Sequence, residues 1–262
     1  MSHHQTIKSL PCWEEWFPGV SYKDRVILLG YVGSQAHGTM TPETDDVDLM
    51  GVVVQPLESY LGFHTQDEWR WMKDYQGMMY DVVLYDVKKY CWLLLKSNPN
   101  VLSLLGLNDH SYLHQSVLGK DLLKMRKVFF SKQVYRAFQG YAHAQLDLMR
   151  RGKDRPTKDL GEKRKQLIEQ YGYDTKHASH LIRLLRMCIE YLSTHELNVW
   201  RADYRELIDI KQGQWSFEQV EQEAKRLFVL SEEALVRSTL PERPNVEAAE
   251  QWVRQAIERR EQ

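Results

Sequence analysis

The sequence predicts an α/β protein: a small head built on a mixed sheet, over roughly residues 20–120, followed by a helical body. Three observations carry this. Arg25–Val32 is a Val/Ile/Leu-rich run that ends in Gly33-Ser34, as a buried strand feeding a tight turn would. A second apolar run, Leu-Met-Gly-Val-Val-Val, opens with Asp46 and Asp48. From Val87 onward the spacing of apolar residues changes to a helical period and largely stays there.

Taken in order, residues 1–24 form a short lead-in, with Trp13, Trp16 and Phe17 expected to pack against the domain and Pro18-Gly19 marking a turn. The two strands follow, and Gln55-Pro56 ends the second. Pro56–Phe63 is too short and mixed to assign. Glu68–Met72 and Met79–Val87 read as two β segments separated by the turn formers of Lys73–Gly77. The run VKKYCWLLLKS is a helix with Asp86 at its N-cap. Asn98 caps a further helix with Pro99 at its first position. Ser131–Arg151 is a long amphipathic helix, with Ser131 as its cap. Arg151–Pro156 reads as a loop and hinge, and Asp159–Gln170, Thr175–Thr194 and Val246–Glu258 are further helices. These readings divide the chain into a head, residues 1–120, and a helical domain, residues 121–262.

The chemistry is concentrated in two places. Residues two apart in a strand share a face, so Asp46 and Asp48 point the same way, close to the Gly33-Ser34 turn. Glycine allows close backbone approach to a phosphate, and serine adds a hydroxyl donor. Paired aspartates are hard oxygen ligands of the kind magnesium takes alongside substrate phosphates. Asp81 interrupts an apolar strand, which is costly unless the carboxylate is paired or bound to a metal. It is the candidate third acid, preferred over Asp86 because Asp86 stands at a helix cap. The second place is the run from Tyr171 to Arg186. Asp174 or Thr175 caps a helix on which Lys176, His180 and Arg183 lie at i, i+4 and i+7, one cationic face, beside a mostly apolar stripe of His177, Leu181, Leu184 and Cys188. That face could compensate the charge of a triphosphate.

Composition excludes little but shapes the rest. The 262 residues carry 43% hydrophobic and 27% charged side chains, ordinary for a globular chain, and a net charge of −1 rules out a uniformly basic nucleic-acid binder. The charge is uneven: Arg150–Arg186 holds eleven Lys/Arg against five Asp/Glu, a local net of +6. No apolar run reaches membrane-spanning length, so no membrane is expected, and the N-terminal stretch lacks the apolar core of a signal peptide. Cys12, Cys91 and Cys188 form no metal or disulfide pattern, which fits a reducing cytoplasm.

Gly33-Ser34, Gly38-Thr39 and Asp46-Val-Asp48 resemble the nucleotidyltransferase signature of the DNA polymerase β superfamily. Asp81, Asn98-Pro99-Asn100-Val101-Leu102 and the run Lys176-His-Ala-Ser-His180-Leu-Ile-Arg183 narrow the resemblance to the YcgL type of predicted nucleotidyltransferase. That group includes RlaP, the nucleotidyltransferase associated with RNA ligases in RNA-repair operons. The resemblance spans about residues 25–255. It implies a minimal nucleotidyltransferase fold, Mg²⁺ or Mn²⁺ as cofactor, and transfer of a nucleoside monophosphate from an NTP such as ATP to a hydroxyl. It places the triphosphate on Gly33 and Ser34 and the metals on Asp46, Asp48 and Asp81, with Asp81 helping to deprotonate the acceptor. Lys176, His180 and Arg183 become nucleotide contacts. An RNA (tRNA) 3′ end is the favoured acceptor, and RNA ligase or repair proteins are the implied partners. A small-molecule or protein acceptor, or a non-catalytic nucleotide-sensing relative, remain the alternatives.

Overall fold

The computed structural model describes residues 25–42, 46–63, 66–75, 77–154 and 162–260. Trp13, Trp16, Phe17 and Cys12 lie outside them. In chain order the described residues form β1 (Val26–Tyr31), α1 (Gly33–His37), β2 (Asp46–Val53), α2 (Leu57–Leu61), β3 (Glu68–Tyr75), β4 (Met78–Asp86), α3 (Val87–Leu95), α4 (Pro99–Ser103), β5 (Tyr112–Gln115) and α5 (Val117–Lys124). Helices follow: α6 (Gln133–Asp154), α7 (Glu162–Tyr171), α8 (Thr175–Thr194), α9 (Tyr204–Lys211), α10 (Phe217–Arg237) and α11 (Val246–Arg260).

The strands form one mixed sheet in the order β3-β4-β2-β1-β5. β2 and β4 run parallel, and the other neighbours are antiparallel. Strand alternation splits the sheet into two faces. Val47, Leu49 and Val53 of β2 join Tyr80, Val82 and Leu84 of β4 in one buried cluster. The opposite face carries Met50, Val52, Val83 and Tyr85 into a core that continues without a break through α3, α6 and α8 to Ala256 on α11. Asp46, Asp48 and Asp81 belong to this second face by their alternation, at the strand ends where the apolar packing stops.

The helix caps follow their chemistry. Asp86 accepts from Lys88 N–H at 2.9 Å, and Asn98 accepts from Asn100 and Val101 N–H ahead of Pro99. Asp86 is buried and also accepts from Tyr60 Oη at 2.6 Å and Gln55 Nε2 at 3.0 Å. Its carboxylate is therefore committed to structure, as its place at a cap implied.

Several boundaries differ from expectation. Gly33-Ser34 opens a one-turn helix rather than a bare turn. β3 continues through Lys73–Tyr75, so the hairpin closes more tightly, at Gly77, whose φ is +79°. Arg70 and Met72 alternate with Trp69 and Trp71, which pack on the second cluster, and this pairing extends the strand. No local pattern announces β5: four half-buried residues with a mixed pattern become a strand only because β1 offers its free edge. Arg151–Asp154 is the end of α6, not a loop: the helix runs on through Gly152 to Asp154. Arg155 and Pro156 lie outside the described residues. Among the described residues no helix is long and apolar enough to cross a membrane.

Gly119, on the first turn of α5, shows where packing overrides propensity. A Cβ there would fall inside the van der Waals shell of the Ile27 carbonyl oxygen on β1. Alanine is worth about 1 kcal/mol more than glycine in a helix, but overpacking against backbone costs about 1–3 kcal/mol or more. Gly119→Ala is therefore expected to lower the unfolding free energy, by up to about 2 kcal/mol, in denaturant titrations; a raised midpoint would show that α5 shifts freely off the sheet.

Candidate active site

The acid-bearing ends of β2 and β4 face a cleft of about 490 Å³, closed on the opposite side by α8 and flanked by α4 and α6. Asp48 and Asp81 are register partners on the two parallel strands. Neighbouring strands lie about 4.8 Å apart, so the two carboxylates leave adjacent Cα positions in the same direction. Asp46, two residues earlier, shares their face and is exposed to the cleft.

The Gly33 turn is tied to this pair. Val32 N–H donates to Asp48 O at 2.9 Å, and Gln35 Nε2 donates to Asp46 O at 2.8 Å, so α1 braces the start of β2. Gly33 has φ +60°, and a Cβ at that position would overlap the Asp48 carboxylate. The missing side chain thus makes room for an aspartate as well as leaving backbone bare toward the cleft. Ser34 lines the cleft, its hydroxyl 3.4 Å from Gln35 Oε1.

The electrostatics report the crowding. Burial, then Asp46 and Asp81, push the Asp48 carboxyl up to about 6, while Lys176 and Lys211 pull against the rise. Among the described residues no three His, Cys, Asp or Glu side chains are drawn into a ready-made ligand set. Three carboxylates that repel one another at the edge of a wet cleft nevertheless fit a divalent cation: they supply hard oxygen donors, and a cation would relieve the strain on Asp48.

The opposite wall is built on α8. Asp174 caps it, accepting from His177 N–H at 3.0 Å. Lys176, His180 and Arg183 all line the cleft, so the structure brings the expected cationic face opposite the expected acids. His180 is wetted by the cleft yet enclosed by its walls. Its imidazole is pushed down to about 3, first by that enclosure and then by Arg183, His177, Lys211 and Arg164, so it is neutral near pH 7. Arg183 has no carboxylate partner among the described residues; its side-chain contact is Met187 Sδ at 3.5 Å. Burial and the nearby Arg201 lower it to about 10, against the pull of Asp203. Arg186, three residues on, is saturated by Asp203, Glu206 and Glu223 at 2.9, 2.6 and 3.2 Å. One arginine of α8 serves the scaffold and the other serves the cleft.

His177 is buried in a hydrogen-bonded set. Its Nδ1 donates to Gln145 Oε1 at 2.6 Å, and its Nε2 accepts from Arg164, which also pairs with Asp174 at 3.2 Å. That pattern requires a neutral ring, consistent with a pKa lowered by burial first, with Asp174 opposing and Arg164 adding to the fall. His37 is likewise buried, with Nδ1 2.9 Å from Val199 O, and is held well below its ordinary value by burial.

The cleft holds three further cations outside the sequence pattern: Arg70, Arg164 and Lys211. Arg164 sits inside the basic stretch already noted. Arg70 pairs with Val83 in register, so it shares the face of Asp81 two residues away, a relation visible only once β3 and β4 are aligned. Lys211 arrives from the end of α9, where Nζ donates to Thr39 O at 3.2 Å, and no local signal announces it.

A glycine turn, an acid pair on the next strand and facing cations are the parts of a polymerase β-like nucleotidyltransferase. The chain matches the family described as "RlaP: RNA repair pathway DNA polymerase beta family" over residues 15–259, and it belongs to that family. Among solved structures it is similar to a nucleotidyltransferase-like protein from Exiguobacterium sibiricum 255-15. The identity is 14% and the TM-score 0.34, with 100% of this chain and 81% of that one covered, a likeness too weak to add to the argument. No curated protein matches the chain.

The raised Asp48 carboxyl has a defined sign. Below about 4 it is neutral in both folded and unfolded chains. Between about 4 and 6 only the unfolded chain ionises it, so stability is lost as pH rises through that window and stays lost above it. A rise from 3.8 to about 6 corresponds to about 2–3 kcal/mol. In chelator-treated protein, Asp48→Asn is therefore expected to raise the unfolding free energy by about 2 kcal/mol at pH 8 and to leave it unchanged near pH 3.8. Equal stability of the two proteins at pH 8 would contradict the crowding.

Proposed function

We propose that this protein moves a nucleoside monophosphate from an NTP to a hydroxyl at the 3′ end of an RNA, with Mg²⁺ or Mn²⁺ held by Asp46, Asp48 and Asp81. The observation that carries the proposal is the register pairing of Asp48 with Asp81 in one cleft with Lys176, His180 and Arg183. Gly33 and Ser34 take the triphosphate through bare backbone and hydroxyl. Lys176 and Arg183 offset the charge of its β- and γ-phosphates, and neutral His180 donates a hydrogen bond to a phosphate or ribose oxygen. A bound divalent cation would supply Lewis-acid stabilisation of the phosphate charge.

In the transfer, the acceptor oxygen bonds the α-phosphorus, the bond from that phosphorus to the bridging oxygen of the β-phosphate breaks, and pyrophosphate leaves. The hydroxyl proton passes to Asp81. The acceptor itself is the nucleophile, so no side-chain nucleophile is required. Family membership in RNA repair and the +6 charge of Arg150–Arg186 support an RNA acceptor.

The test is incubation of the protein with each α-labelled NTP, Mg²⁺ or Mn²⁺, and a mixture of RNA, small hydroxyl compounds and the protein alone. Label is expected on RNA 3′ ends, and Asp46→Ala or Asp48→Ala should each reduce it by at least a thousandfold with the fold intact by circular dichroism. Label on a small molecule or on protein would replace the acceptor; undiminished labelling in both variants would remove the metal assignment.

A further inference from the structure

A second groove, of about 670 Å³, lies outside the catalytic cleft, between the exposed side of α3, the start of α6 and the segment leading into α11. Its charge is one-sided. Lys96, Lys132, Arg136 and Arg243 line it against one carboxylate, Glu242, in a chain whose overall charge is −1. Lys132 is paired with Glu242 at 2.7 Å, but Arg136 and Arg243 are exposed and have no carboxylate partner among the described residues.

The groove also carries aromatic surface. Trp92 of α3 is 51% exposed, and the Lys89 and Lys96 ammonium groups stand 5.5 and 5.7 Å from the centroid of its ring. Tyr135 lines the same groove. A large exposed indole framed by lysines, beside unpaired arginines, joins the two components of single-strand nucleic-acid binding: a π-face for a base and cations for the backbone phosphates.

Groove and cleft are connected by one turn. Lys96 lines the groove and Asn100 lines the catalytic cleft, four residues apart and so at most about 14 Å along the chain. The turn between them is held by Asn98 Nδ2, which donates at 2.9 Å to the hydroxyl of Tyr141, itself a cleft residue. An acceptor strand with its terminal hydroxyl at Asp81 can therefore pass over this turn and lie in the groove.

We propose that the Trp92 groove holds the single-stranded RNA segment preceding the acceptor nucleotide, with a base stacked on Trp92 and phosphates on Lys96, Lys132, Arg136 and Arg243. This rests on the RNA-acceptor reading above and adds to it where the rest of the strand runs.

The test is fluorescence anisotropy of the full chain with a labelled 12-nucleotide single-stranded RNA across a salt series, with NTP binding measured in parallel. Each phosphate contact on a single strand contributes about 0.7 to the slope of log K against log salt. The double variant Arg136→Gln/Arg243→Gln is expected to bind at least tenfold more weakly and to lose about 1.4 from that slope. Trp92→Ala should weaken binding about tenfold with the slope unchanged. Glu242→Lys, which adds a cation and releases Lys132, should tighten it severalfold. NTP affinity should stay constant in all three. If the wild-type protein binds the RNA and these variants bind it equally well, the groove is overturned while the RNA reading stands. If the wild-type protein binds no RNA, both fall together.

Discussion

Two like charges set opposite one another on neighbouring strands are an unfavourable thing to build, and much of this protein is arranged around that placement. Asp48 and Asp81 are register partners on the parallel pair β2 and β4, with Asp46 on the same face. Their repulsion and partial burial are visible in the raised Asp48 carboxyl. A side chain at Gly33 would displace the Asp48 carboxylate, so the turn after β1 must be glycine for two reasons: its positive φ and the space it leaves. α1 then ties back to the carbonyls of Asp46 and Asp48, fixing the start of β2 and with it both acids at the mouth of the cleft.

The facing wall answers that charge without cancelling it. α8 buries Leu181, Leu185 and Cys188 in the shared core, which fixes its rotation and leaves Lys176, His180 and Arg183 to the cleft. Cations needed for the scaffold are neutralised locally: Arg186 by three carboxylates, Arg201 by Glu190 and Asp203. Arg183 and Lys176 are spared that pairing, and no carboxylate bonds either of them among the described residues. The separation of acids on the sheet from cations on the helix leaves between them a space suited to a polyphosphate with its counter-cation.

Much of this was legible in local patterns, and what was not legible has a physical reason. Period-two alternation places Asp46 and Asp48 on one face from sequence alone, and the i, i+4, i+7 spacing does the same for Lys176, His180 and Arg183. The caps at Asp86, Asn98 and Asp174 are short-range chemistry and are equally readable. The pairing of Asp48 with Asp81 is not, because parallel strands are aligned by packing across an intervening helix and strand, α2 and β3, not by adjacent residues. β5 exists because β1 has an edge to fill, and Lys211 reaches the cleft because α9 docks beside α8; neither fact is written in its own neighbourhood. The end of α6 departs from its sequence pattern for a related reason. Gly152 lowers helix propensity by about 1 kcal/mol, which a 22-residue helix anchored by its packing absorbs.

The most direct measurement is anomalous diffraction from crystals soaked with Mn²⁺ and a non-hydrolysable NTP. Manganese density is expected in contact with the carboxylates of Asp46, Asp48 and Asp81, with triphosphate density running from Gly33 toward Lys176 and Arg183. Manganese bound elsewhere, or a triphosphate seated outside this cleft, would contradict this assignment.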